Sequence, residues 1–229
     1  MKPLLDIYNA SSSAFGQWSL TDFTLRKEQL VGLGSQLPKA LQNVLQYHLT
    51  HAELSIAPTQ SLVSPTGETN ELYTQGRGVS VLLIDSDAPN CQLAFMAMMT
   101  ALVATGNSVI ICSNNPWVED VMKTHQYEQL LPEGLVSLIP KDGYHELMTH
   151  DIRNFVFIGN ASKTVEINEA LSMRPNAITS LVAETDLEAL IHAKDPMLVL
   201  RFITEKVRSI NITAIGGNAT LLELGNTTH

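Results

Sequence analysis

Residues Arg77 to Asn115, RGVSVLLIDSDAPNCQLAFMAMMTALVATGNSVIICSNN, constrain the fold more than any other stretch of the chain. A six-residue, largely apolar run (Val79–Ile84) leads through a polar turn into a long apolar segment, and Gly106 and Asn107 separate that segment from a second strand-like run, Ser108–Cys112. The middle segment, Asn90 to Thr105, carries Leu93, Phe95, Met96, Met98, Met99, Leu102 and Val103 around nearly its whole circumference. This describes a helix buried on all sides, with Gly106 placed to end it. Strand, crossover helix and strand in this order make a βαβ unit, which requires a parallel sheet.

The same alternation continues. Leu135–Ile139, Phe155–Ile158 and Ile178–Val182 are further strand-length runs, separated by pieces long enough for crossover helices. Because the runs are apolar on both faces, helices must cover both sides of the sheet. The expected fold class is therefore α/β, a Rossmann-like parallel sheet flanked by helices.

Before this core, residues 1–57 read as an all-helical cover. Leu25, Leu30, Val31, Leu33 and Leu37, then Leu41, Val44, Leu45, His48 and Leu49, recur at helical spacing, with Thr21 or Asp22 placed to cap one helix and Pro38 to open the next. Residues 58–77 change character. Two turn-rich pieces, Ser64–Glu68 and Gln75–Gly78, flank a short strand around Glu71–Thr74, which suggests a hairpin or extended arm. The core is assigned to 78–206. Residues 207–229 end in two strand-like pieces, Ser209–Ala214 and Thr220–Leu224, about Gly216 and Gly217.

Composition narrows the function. A net charge of -9 without any basic run argues against nucleic acid, whose binding depends on clustered Lys and Arg. The longest apolar stretch, Leu93–Val103, is far short of the ~20 residues a membrane span requires, and no signal core opens the sequence. Two cysteines without CxxC spacing fit a reducing compartment, so a cytoplasmic chain is expected.

Candidate chemistry gathers at the strand ends, where open α/β sheets bind ligands. Asp85, Ser86 and Asp87 follow the first core strand, with two roles open: a functional pair of carboxylates, or capping of the next helix around Asp87 and Pro89. Cys112 and Ser113 end the second strand. Gly159, Asn160 and Ala161 follow the fourth and open a helix whose amides face a phosphate in nucleotide folds, or form a structural turn. Cys91 and Cys112 lie in apolar surroundings that favour an inert filler over a nucleophile. His48 and His51 are one helical turn apart but lack a third ligand, so no metal is expected. Gly32 and Gly34 lie in a helical stretch, which removes a phosphate-loop reading.

These residues resemble the aldehyde dehydrogenase superfamily. Ala14, Phe15, Trp18 and Arg26 match its N-terminal helices. Gly78, Val79, Pro89, Ala101 or Ala104, Gly106, Asn107, Ser108 and Val109 match its first βαβ frame. Leu131, Pro132, Glu133, Gly134, Pro140 and Gly143 match a later loop pattern, and Phe157, Ile158, Gly159 and Asn160 a strand end. More narrowly, Ser64–Asn70 and the final Ser209–Leu222 resemble the C-terminal domain of long proline utilization A flavoenzymes, a degenerate copy regarded as noncatalytic.

The resemblance implies a nucleotide-domain-like fold with the catalytic domain absent, because the segment matching the general base, Leu181–Thr185 with Glu184, reaches the closing strands within about thirty residues. The family's Trp-Asn pair falls on Ser86 and Asp87, and its ribose-binding Lys on Cys112. The expectation is thus a noncatalytic module without a cofactor. NAD(P) binding through Asp85, Ser86, Asp87, Cys112, Ser113, Gly159, Asn160 and Ala161 is the alternative, and a residual 1-pyrroline-5-carboxylate or aldehyde dehydrogenase the third reading. The resemblance also implies a β-arm formed by Pro65, Thr66, Gly67, Glu68 and Asn70 with Asn211, Gly216, Gly217 and Asn218. The expected partners are a second copy, giving a homodimer through that arm, and enzymes of proline catabolism.

Overall fold

A computed structural model describes residues 3–65, 67–124, 131–175 and 177–211. Three helices open the chain: α1 (Leu4–Trp18), α2 (Phe23–Gly34) and α3 (Lys39–Ile56). Asp22 caps α2 by accepting the Thr24 amide at 2.8 Å, and Pro38 immediately precedes α3. Their buried residues fall at helical spacing, Ser11, Ala14 and Trp18 on α1 and Leu41, Leu45, His48, Leu49, Ala52 and Ile56 on α3.

Five parallel strands form the core sheet: β3 (Val79–Ile84), β4 (Ser108–Cys112), β5 (Val136–Ile139), β6 (Asn154–Ile158) and β7 (Ser180–Glu184). Their order is β5-β4-β3-β6-β7, so the chain builds outward from β3 on one side, then returns across it to build the other. Side chains alternate between two apolar clusters. Leu82, Ile84, Val109, Ile111, Val156 and Ile158 pack toward α4 (Cys91–Ala104) and the N-terminal helices. Val81, Leu83, Ile110, Cys112, Phe155 and Phe157 pack on the opposite side, with α6 (Tyr144–Leu147) and α7 (Ala161–Ser172). A short helix, α5 (Pro116–Thr124), adds Val118 and Met122 to the first cluster. Burial on both sides accounts for the unbroken apolar runs.

Helix α4 lies between the sheet and α2 and α3, with every residue from Ala94 to Ala104 buried. Trp18 reaches into it and donates its indole N–H to the Val103 carbonyl at 2.8 Å. Gly106 follows the C-cap Thr105 with φ 90°, a conformation glycine adopts freely. A Cβ there would run into the Arg26 guanidinium, which is packed against the helix end.

A second, three-stranded antiparallel sheet is made by β1 (Gln60–Leu62), β2 (Glu68–Gly76) and β8 (Ile203–Asn211), in the order β1-β2-β8. β2 and β8 pair from Glu68 with Asn211 to Gly76 with Ile203. In this arm β8 begins at Ile203, whereas the sequence places a strand from Ser209. Residues 204–209 are exposed, so no buried face imprints an apolar pattern on the sequence. β7 is displaced too, starting at Ser180 in place of Ile178. Ile178 is 96% exposed, Thr179 donates to the Ile152 carbonyl, and the ladder starts where Ser180 meets Asn154. The link 185–202 joins β7 to β8 and contains only turns and one short 3-10 helix.

Candidate functional site

The return of the chain across β3 leaves a switch point at the C-terminal ends of β3 and β6, the place where sheets of this kind take ligands. The two strand ends are joined by an Asp85 N–H to Ile158 carbonyl bond of 2.9 Å. Gly159 comes next after β6, and its amide donates to the Glu184 carbonyl. A Cβ at Gly159 would press on the buried Phe157 ring, so a side chain there requires that ring to shift.

Asp85 is the centre of the arrangement. One carboxylate oxygen accepts from the Lys141 ammonium at 2.9 Å and the other from Lys163 at 2.8 Å. Lys141 comes from the segment just past β5, and Lys163 from the first turn of α7, so the bridge ties three elements together across the sheet edge. All three side chains are 22–31% exposed, which leaves them partly desolvated. The hydrogen bonds from Lys163 and Lys141 hold the Asp85 carboxyl below the usual carboxylate range, and the bond to Asp85 raises Lys163 in turn. Lys163 also stands over the Tyr144 ring, 5.4 Å from its centroid.

The remaining sequence candidates are occupied locally. The Ser86 hydroxyl accepts the Ala88 amide, and its carbonyl accepts from the Asn115 side chain at 2.9 Å. Ser113 is buried, and its hydroxyl accepts the Asn115 amide. Asn160 caps α7, its side-chain oxygen accepting the Lys163 amide at 3.0 Å and the Ser162 hydroxyl at 2.8 Å. Ala161 is the first residue of that helix. Asp87 is exposed and does not cap α4, correcting one of its two expected roles. The cap position belongs to Asn90, whose side chain donates to the Leu187 carbonyl at 2.8 Å. The turn through Ala88 and Pro89 carries Asp87 away from the helix start, with the Cys91 amide bonded to the Ala88 carbonyl.

Neither cysteine has the environment of a nucleophile. Both are fully buried and unpaired. Burial, with a smaller contribution from the charge of Asp87, pushes the Cys91 thiol up to about 12, and burial raises Cys112 as well. Glu184, on the segment matched to a general base, is 1% exposed and accepts the His192 and Ala193 amides, each at 2.8 Å. His48 bonds the Ala193 carbonyl through Nε2 while His51 packs on the Tyr47 ring, and among the described residues no three His, Cys, Asp or Glu side chains cluster as metal ligands. No described helix is long and apolar enough to cross a membrane.

In the arm, the Pro65 carbonyl accepts the Glu68 amide, Gly67 has φ 88°, and Asn70 pairs with Leu62 and Ser209. Glu71 and Arg208, directly opposite each other, form an ion pair. Thr66, Gly216, Gly217 and Asn218 lie outside the described residues.

Lys141 and Lys163 were missed by the sequence reading. Their signal was weak but present: each lies within a few residues of a strand's C-terminal end, one after Pro140 and one in a helix's first turn. The Asp85 carboxylate stands between the Lys141 and Lys163 ammonium groups, and Asn160 already holds an amide of the α7 terminus.

No family model matches the chain. It is similar to the bifunctional protein PutA of Salmonella typhimurium, 25% identical over 175 residues, covering 76% of this chain and 12% of that protein. Among solved structures it resembles a mutant of Bradyrhizobium japonicum proline utilization A, with a TM-score of 0.70 and 23% identity over 79% of this chain and 22% of that one. It also resembles Thermus thermophilus 1-pyrroline-5-carboxylate dehydrogenase, with a TM-score of 0.65 and 19% identity over 78% of this chain and 41% of that one. The fold is that of the aldehyde dehydrogenase superfamily, and the chain spans about an eighth of the length of the curated relative.

Proposed function

We propose that the chain is a noncatalytic aldehyde dehydrogenase-like module with a structural or assembly role linked to proline catabolism. The observation that carries this reading is the switch point itself: the Asp85 carboxylate at the end of β3 is ion-paired to two lysines, and both thiols are buried with raised pKa. Thioester chemistry on an aldehyde needs an accessible thiolate and a donor for the oxyanion. A carboxylate offers neither. The 185–202 link supports the same reading, because it joins the last core strand directly to the arm without an intervening domain.

Assembly follows from the arm. Within the described residues β1 and β8 are the outer strands of their sheet, and an outer strand favours addition of another, most simply from a second copy. The proline link rests on the likeness to proline utilization A. Purified protein incubated with 1-pyrroline-5-carboxylate and NAD⁺ should produce no NADH, and its solution mass should be twice the 25.1 kDa of the chain. NADH formation that requires the wild-type chain would overturn the noncatalytic reading, and a mass near 25.1 kDa would overturn the dimer.

A further inference from the structure

The Lys141–Asp85–Lys163 bridge joins one carboxylate to two ammonium groups. The two carboxylate oxygens are divided, one to each ammonium, and the two ammonium groups come from opposite sides of the switch point. One negative charge therefore faces two positive ones at the switch point, where a sheet of this order takes its ligands. Lys163 adds the favourable end of α7, a twelve-residue helix. Removing the carboxylate would leave two partly desolvated cations facing each other without a counter-ion, which is the makings of an anion site.

We propose that the Asp85 carboxylate is a resident internal ligand, occupying an anion pocket formed by Lys141 and Lys163 that the scaffold retains and keeps closed to phosphate-bearing compounds. This rests on the reading of the module as noncatalytic and deepens it, since it assigns the closure to one side chain. The advantage of Asp85 over a free anion is attachment. A tethered group competes at an effective concentration in the millimolar range or above, so a weak single-charge ligand suffices to exclude diffusing ones. Asn160 reinforces the exclusion by holding the Lys163 amide that a phosphate oxygen would otherwise accept from.

The test is calorimetric titration of inorganic pyrophosphate into three forms of the full chain: wild type, Asp85→Ser and the double variant Asp85→Ser/Lys163→Met. Wild type should give no saturable heat at millimolar pyrophosphate. Asp85→Ser should bind, with affinity falling as salt rises, and the double variant should lose at least tenfold of that affinity. Equal binding by wild type and Asp85→Ser would overturn the proposal, and so would a folded Asp85→Ser chain that binds nothing. If Asp85→Ser does not fold, Asp85→Asn replaces it as the near-isosteric form, and failure of both to fold would overturn the proposal by making the carboxylate a structural necessity. NADH production by wild type from pyrroline carboxylate would sink the noncatalytic reading alone. The titration decides the role of Asp85 independently.

Discussion

Asn107 uses its whole side-chain amide where the core meets the arm. Its oxygen accepts the Gly78 amide at 3.0 Å, and its nitrogen donates to the Thr105 hydroxyl at 2.8 Å and to the Phe202 carbonyl at 2.9 Å. The residue is fully buried, so alanine would leave the Gly78 N–H and the Phe202 carbonyl without partners and open a small cavity. Asn107→Ala should cost about 3 kcal/mol, read as a lowered urea midpoint with an unchanged slope. The sequence marks Asn107 as the residue after a helix-ending glycine, and it marks Asp85 as a strand-end acid. It marks neither residue's partners. Phe202 lies 95 positions from Asn107 and Lys163 lies 78 from Asp85, and such pairings are set by the return of the chain and leave no local pattern.

The three elements joined by Asp85 share one pH dependence. The folded carboxyl is depressed, so its contribution is complete above the unfolded value of about 3.9 and disappears as pH falls through the lower folded value. Lys163 is raised, so its share is complete below about 10.4 and is lost as pH rises through the folded value. Partial exposure limits the whole effect to about 1 kcal/mol. Urea midpoints of wild type and Asp85→Asn should differ near neutral pH and converge under acid; a gap that persists below pH 2 would show that Asn harms packing and not charge pairing. Legibility of elements follows the same physics of burial. β3 and β4 begin and end where the sequence places them because both faces are apolar, and α4 is evident because it has no polar side. β7 sits at the sheet's edge with fewer buried positions, and its start was misplaced by two residues. β8 has an exposed middle, and its first six residues carried no signal.

At the scale of the molecule, one apolar cluster lies on each face of the core sheet, while the three-stranded arm adds little to either. Amide hydrogen exchange should therefore be slowest in β3, β4, β6 and α4 and fastest along β1 and β8; uniform protection of both sheets would mean that the arm is covered in solution. The doubly covered sheet was legible from periodicity alone, whereas the Lys141–Asp85–Lys163 bridge was not, because it depends on where two lysines from later elements come to rest. The pairing of β2 with β8 has a further meaning in time. Glu68 meets Asn211 only after almost everything between them has been laid down in order, and bringing such distant segments together is entropically costly until the core shortens the gap. A chain that has not reached β8 would display β2 with only β1 beside it. The paired ribbon reports that the segment from β2 to β8 has come together, and any partner that recognises it would pass over molecules in which that segment is incomplete or unfolded.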